Sequence, residues 1–345
     1  MIFHFITALL AAKGAVLDPL LEETLSPIGI VQTKQIEIPG FPKAFNPSLI
    51  PYQDGYLLSF RTTHKHPIKN SPRVDASYIG IAKLDAQFNV LKNSAQLLFI
   101  LSYGENASIT AEDARLFKID DRIFILFNDL PVNLVHRGHM LYWGEIIEYQ
   151  GRFLLKEPTK PLYYADARHM EKNWSPFLFN GKIHFIYSDT PRIILEMDSD
   201  TGICSEVVRF QDSLPTHWQW GHVRGGTPAY PLEGQMITFF HSSIRAETTK
   251  EREIPRQGLN YVMGAYTFDP YPPFSIRSIT PAPLGTLEDY ESNNYRKVVF
   301  PGGLVIDDPY IHVAWGKNDN QAFITTFDQK QLLQFLQPSR LTNFQ

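Results

Sequence analysis

Five segments of the chain share one alternation of polar and apolar positions. Each opens on a polar or Gly/Pro-marked start, runs through a short apolar stretch and a tight polar turn, and closes on a longer apolar stretch. They are NPSLIPYQDGYLLSFR (46–61), EDARLFKIDDRIFILFND (112–129), NWSPFLFNGKIHFIYSD (173–189), GGTPAYPLEGQMITFFHSS (225–243) and PGGLVIDDPYIHVAWGKND (301–319). Short apolar runs bounded by turn residues predict strands, and the QDG, DD, NG, EG and DDP turns predict hairpins. An apolar residue in the first run precedes an aromatic in the second by 11 positions in four copies: Leu49 and Phe60, Leu116 and Phe127, Ala229 and Phe240, Leu304 and Trp315. The remaining pair, Phe177 and Tyr187, is 10 apart. Successive aromatics fall 67, 60, 53 and 75 residues apart, the span of one four-stranded sheet per repeat. Radial repetition of such sheets is a propeller, so the pattern predicts an all-β, five-bladed β-propeller. Helices are left to the two ends, VLDPLLEETL (16–25) and QKQLLQFLQ (329–337), the second with apolar spacing near 3.6.

Length alone, 345 residues, suggests roughly two domains. Five repeats of about 60 residues occupy nearly all of it, so the expectation becomes a single propeller domain over residues 16–345. With 24 Phe, 16 Tyr and 5 Trp beside 25 Pro and 21 Gly, the composition is that of aromatic strands punctuated by turns. A net charge of −4 gives no electrostatic reason to expect nucleic acid or an anionic membrane as partner. The single cysteine, Cys204, excludes an intramolecular disulfide, a CxxC pair and a thiolate zinc site. No stretch reaches the ~18 apolar residues of a transmembrane helix. Residues 1–15 read either as a signal peptide, with an apolar core but no charged start, or as an N-terminal apolar segment. The protein is exported in the first case and cytoplasmic in the second.

In a propeller the innermost strands run along the central channel, and their ends present side chains to one pocket. The repeat starts hold Asn46, Glu112 with Asp113, Asn173 with Trp174, Arg224 and Pro301. Just past each aromatic come Arg61, Asn128 with Asp129, Ser188 with Asp189, His241, and Lys317 to Asp319. Such a ring suits a sugar, whose hydroxyls need dense donors and acceptors, while the faces of Trp174 and Trp315 would stack on a pyranose. No GxGxxG, Walker loop, GxSxG or HExxH is present. HRGH (136–139) and HWQWGH (217–222) have no carboxylate or cysteine at ligand spacing, so they read as loop histidines; neither metal nor cofactor is expected. NAS (106–108) and NWS (173–175) match the glycosylation sequon; the second lies inside a repeat start and reads as coincidence.

Over roughly residues 44–320, the order of EDAR, EKNW, RGGTP with FFH, YVMGAYTFDPYPPFSIRSITPAPL, and KVVFPGGLVIDD with WGKND resembles glycoside hydrolase family 130. That family consists of five-bladed propellers acting on β-mannosides, many of them inverting phosphorylases and some hydrolases. The resemblance implies a general acid at Asp113, where EDAR stands for the family's EDPR. It implies sugar ligands at Asn46, Arg61 and Asp319, and phosphate-holding groups at Lys172 and His241. Two family arginines lie between the acid and that lysine, with Arg137 and Arg168 the nearest here. Arg115, Asn128, Asn173, Trp174 and Asp189 join as candidate substrate contacts, and Arg224 as a further cation. Ala114 for Pro, Ser242 for Gly and WGKND for YGAAD mark a divergent branch. The expectation is an enzyme that cleaves or forms a β-mannoside-type bond with inversion. Inorganic phosphate is the co-substrate if it is a phosphorylase; if it is a hydrolase, Asp189 or Glu171 is the base. The partner is an oligosaccharide or glycoside. Asp113 must carry a proton to act as the acid, which burial favours and Arg115 opposes. The alternative is a glycan-binding propeller without catalysis.

Overall fold

The computed structural model describes residues 25–65, 75–100, 111–129, 139–210, 218–245, 259–290 and 297–339. Five antiparallel sheets form the blades of a β-propeller. Blade 1 comprises Ala44–Tyr52, Gly55–Lys65, Asp75–Leu84 and Gln96–Leu97. Blade 2 runs Glu112–Ile119, Arg122–Asp129, Met140–Tyr149 and Arg152–Pro161, with Phe99–Ile100 added in parallel at its edge. Blade 3 is Ser175–Phe179, Lys182–Asp189, Arg192–Met197 and Cys204–Phe210. In blade 4 the inner edge is split into Arg224–Gly225 and Tyr230–Leu232, followed by Gln235–Arg245, Leu259–Phe268, Ile276–Ile279 and Gln337–Pro338. Blade 5 is Val299–Asp307, Tyr310–Lys317 and Gln321–Asp328, completed by Ile30–Gln35 from the other end of the chain. That last pairing closes the ring and leaves blade 5 no open outer edge at Gln321–Asp328. The predicted C-terminal helix is present as Gln329–Phe335, capped by the Asp328 carboxylate. The N-terminal helix and the apolar residues 1–15 lie outside the described residues.

The aromatic register has a packing cause. Phe60 faces Gly80 across the sheet and Phe240 faces Gly264, and a Cβ on either glycine would sit 2.1 or 2.5 Å from the ring. Phe127 and Trp315 instead stack on the aromatics opposite them, Tyr142 and Phe323, with centroids 5.6 and 4.8 Å apart. Each large ring is thus matched to an empty or flat neighbour, the condition for tight cross-strand packing.

The innermost strands Ala44–Tyr52 and Val299–Asp307 are buried without a break from Ala44 to Ile50 and from Val299 to Val305, as expected where neighbouring blades cover both faces. Pairing slips between Phe45 and Ser48, Glu112 and Arg115, and Pro301 and Gly303, a bulge at the same place in three blades. Asn46 (φ 46°) and Asp113 (φ 49°) occupy two of these bulges, and Asn173 (φ 64°) sits just before blade 3. Left-handed backbone costs a non-glycine residue about 1–3 kcal/mol and gathers at functional sites. Here it re-aims one polar side chain in each of blades 1, 2 and 3.

Candidate active site

Asp113 lies at the centre of the aligned bulges. Its Oδ1 accepts hydrogen bonds from Asn46 Nδ2 at 2.8 Å and Arg61 Nη1 at 3.2 Å. Arg61 also binds Glu112 Oε1 at 2.8 Å and Ser77 Oγ at 2.8 Å, and it feels the charge of Asp319. Asn46, Arg61, Asp113 and Asp319, predicted from four places in the sequence, therefore meet across blades 1, 2 and 5. Burial works to raise the Asp113 carboxyl, but Arg61, the Asn46 hydrogen bond and Arg115 outweigh it and hold the group below the ordinary carboxylate range. The expectation of a raised, protonated Asp113 is thus reversed: without ligand the group is ionised.

Arg115 is 1% exposed and does not reach out to a substrate as expected. Its guanidinium donates to the carbonyl oxygens of Gly226, Asp113 and Gly225 and to Asn173 Oδ1 at 3.4 Å. It is a strut from blade 2 to the inner ends of blades 3 and 4. Burial lowers its pKa to about 10. Glycines permit this closeness: a Cβ at Gly225 would lie 2.1 Å from the Asn173 carbonyl, and one at Gly316 would lie 2.1 Å from Asn46 Oδ1.

Beyond Asn173 opens a cavity of about 360 Å³ between blades 3 and 4. Arg168, Lys172 and Arg224 line it together with Asn173, Asp189 and His222. Asn173 belongs to both places, since its Oδ1 meets Arg115 while it walls the cavity. The Arg168–Lys172 segment is tied down by Glu171, whose carboxylate accepts from Arg168 N, Tyr187 OH (3.0 Å) and Trp174 Nε1 (2.8 Å). Arg168 lies over the Tyr187 ring at 5.4 Å. Asp189 is 2% exposed, and its Oδ1 accepts from Arg192 Nη1 at 2.6 Å and Tyr266 OH at 2.8 Å. Both carboxylates considered as a hydrolytic base thus already hold internal donors.

His241 pairs with Arg224 across blade 4 and is 1% exposed against the rings of Tyr261 and Phe300. Burial first, then Arg224 and Arg115, push it down to about 3, so it is neutral and not the expected cation. Its Nδ1 makes no hydrogen bond among the described residues. The charges of Lys172 and Asp113 also reach it.

Trp174 and Trp315 offer no stacking platform, contrary to expectation. Each is 1% exposed; Trp174 is enclosed by Phe185 and Tyr187, and Trp315 donates to Thr325 Oγ1 at 2.9 Å beneath Phe323. Asn128 is buried opposite Glu112, with Nδ2 3.1 Å from His139 Nδ1 and Oδ1 unpartnered among the described residues. Arg137, His136, His217 and Asn106 lie outside the described residues. His222, read from sequence as a loop histidine, lines the cavity. Arg192 and Tyr266 were not singled out at all; neither sits at a repeat start or end, the only positions the repeat flags. Among the described residues no group of His, Cys, Asp and Glu could hold a metal ion, and no helix is long and apolar enough to cross a membrane.

No family model matches the chain, and no curated protein matches it. Among solved structures it is similar to a β-1,2-mannobiose phosphorylase from Listeria innocua in complex with β-1,2-mannobiose, at 18% identity and TM-score 0.59, covering 90% of this chain and 96% of that one. It is similar to a glycosyl hydrolase from Bacteroides ovatus, at 13% identity and TM-score 0.56, covering 92% and 97%. It is also similar to a GDP-Man-dependent mannosyltransferase from Leishmania mexicana, at 13% identity and TM-score 0.54, covering 87% and 90%. These likenesses establish a shared fold that carries three different reactions.

Proposed function

We propose that this chain is a carbohydrate-active enzyme that breaks or makes a β-mannoside-type bond with inversion, using inorganic phosphate as the second substrate. The observation that carries the reading is one continuous polar track. Asp113, whose backbone carbonyl accepts from Arg115, connects through Arg115 and Asn173 to a cavity lined by Arg168, Lys172 and Arg224. Phosphate is a nucleophile at neutral pH and needs a cationic cradle more than a second carboxylate. Glu171 holds internal donors on both carboxylate oxygens, and Asp189 is the counter-ion of the buried Arg192, which favours phosphorolysis over water activation.

In this reading Asn46, Arg61 and Asp319 hold the sugar beside Asp113. Asp113 gives its proton to the glycosidic oxygen as the C1–O bond breaks. A phosphate oxygen forms the new bond to C1 from the opposite face, which yields a sugar 1-phosphate and a free hydroxyl on the leaving sugar. The proton reaches Asp113 once an anion enters: its charge offsets the fields of Arg115 and the cavity cations, and burial then dominates. Phosphate binding and acid competence are thereby coupled.

A second reading, glycan binding without turnover, is favoured by one observation: the unliganded Asp113 is ionised and already satisfied by Asn46 and Arg61. Incubation with a panel of β-mannosides, with and without phosphate, separates the two. Phosphate-dependent release of a sugar 1-phosphate is expected. Equal turnover in phosphate-free buffer would overturn phosphorolysis, and binding with no turnover would support the glycan-binding reading.

A further inference from the structure

Three cationic side chains facing one cavity attract any small oxyanion, so charge alone would not distinguish phosphate from sulfate. The same wall, however, carries a carboxylate. Asp189 lines the cavity, and the two donors it meets both go to Oδ1, leaving Oδ2 with no donor among the described residues. Its partner Arg192 is 0% exposed, lies over the Phe268 ring at 4.9 Å, and leaves Nε and Nη2 without hydrogen bonds among the described residues. So deeply buried a guanidinium needs the Asp189 carboxylate as its counter-ion, which fixes the carboxylate in place.

We propose that Asp189 makes this cavity selective for an oxyanion that still carries a proton, such as hydrogen phosphate or arsenate, and excludes sulfate. A carboxylate only accepts hydrogen bonds. Facing a P–OH it receives a charge-assisted one; facing a bare sulfate oxygen it meets a second negative charge across a poorly screened gap. Phosphate keeps a proton near neutral pH and sulfate keeps none. Hydrogen phosphate would turn its hydroxyl to Asp189 and two of its three bare oxygens to Arg168, Lys172 and Arg224, with the third left to attack the sugar. The inference rests on the anion-binding reading of the cavity given above and adds the feature that chooses the anion.

Calorimetric titration of the full chain with phosphate, arsenate and sulfate, at neutral pH and constant ionic strength, tests it. Phosphate and arsenate should bind, with sulfate on the order of 100-fold weaker, the scale of losing one hydrogen bond to a charged group. Asp189→Asn, whose amide also donates, should bring sulfate to within about 10-fold of phosphate. That change strands Arg192, so Asp189→Asn with Arg192→Met provides the same readout in a background without the buried charge. Equal binding of phosphate and sulfate by the wild type would overturn the selectivity and leave the anion cavity standing. Binding of neither would overturn both. A folded Asp189 variant that still rejects sulfate would overturn the assignment to this residue.

Discussion

Replacing Arg61 by Met removes the cation around which the acidic cluster is built while keeping a stem of similar length over the Phe45 ring. Three contacts are lost: to Asp113 at 3.2 Å, to Glu112 at 2.8 Å and to Ser77 at 2.8 Å. Breaking a fully buried pair costs ~3–5 kcal/mol, and an exposed pair contributes ~1 kcal/mol or less. Side-chain exposures of 18% for Arg61, 15% for Asp113 and 31% for Glu112 put these pairs between the limits, nearer the buried one. The expected destabilisation at pH 7 is about 2–4 kcal/mol. Its pH dependence follows from Asp113. In the wild type the folded carboxyl is held below its ordinary value, so its stabilising contribution is complete above ~3.9 and fades as pH falls through the folded value. Without Arg61, burial has less to oppose it and the proton affinity of the carboxyl rises. The stranded carboxylates are then relieved by protonation, and the deficit of the variant shrinks toward low pH. Urea denaturation of both proteins at pH 7 and near pH 4.5 measures this. A deficit below about 0.5 kcal/mol, the scatter of ordinary surface changes, or one that is the same at both pH values, would refute the reasoning.

Three further outcomes follow from the site. Gly316→Ala would drive a Cβ to 2.1 Å from Asn46 Oδ1 and 2.6 Å from Asn46 N, displacing Asn46 from Asp113. Losing a hydrogen bond to a charged group costs ~1.5–3 kcal/mol, so steady-state activity should fall at least about 10-fold, and a wild-type rate would contradict the role of Asn46. Glu171→Gln replaces one of two accepting oxygens by a donor amide, so Arg168 N, Tyr187 OH and Trp174 Nε1 cannot all be served. Phosphate affinity measured by calorimetry should drop about 10-fold as Arg168 and Lys172 loosen, whereas an unchanged affinity would show that Glu171 does not position them. His241, pushed down to about 3 by burial and nearby cations, should show no NMR titration between pH 5 and 8. Its folded value is depressed, so below ~6.5 the unfolded chain binds the extra proton and this residue removes up to ~1.4 kcal/mol of stability per pH unit down to about 3. A slope unchanged in a folded His241→Gln variant would contradict this.

Much of the fold is legible because each blade is built from local hairpins, whose turns and apolar runs lie within 20 residues of each other. The aromatic register is legible too, since Phe60, Phe127, Phe240 and Trp315 answer one recurring packing demand. The channel end of each inner strand could also be located, so Asn46, Arg61 and Asp113 were found. What each side chain does there was harder to read. A bulge decides whether a residue near a strand start faces the channel or the blade interior, and alternation alone does not reveal the bulge. Asn173 and Trp174 are neighbours, yet one walls the cavity and the other is sealed beneath Tyr187. The sequence makes Arg115 a candidate substrate contact, but two of its carbonyl partners, Gly225 and Gly226, come from blade 4, more than a hundred residues away. His241 looked cationic until its aromatic enclosure was visible. Arg192 and Tyr266 carry no positional mark, and their tie to Asp189 is a product of blade packing alone.

The central claim is that Asp113 is an acid working with phosphate on a sugar. Its most direct test is product formation from a β-mannoside and inorganic phosphate by the wild type and by Asp113→Asn, followed by phosphorus NMR. The wild type should release a sugar 1-phosphate of inverted configuration. The variant should fold, still bind the glycoside, and form product ~10²–10⁴-fold more slowly, the range attributed to general acid catalysis. Equal rates from the two proteins would contradict the account.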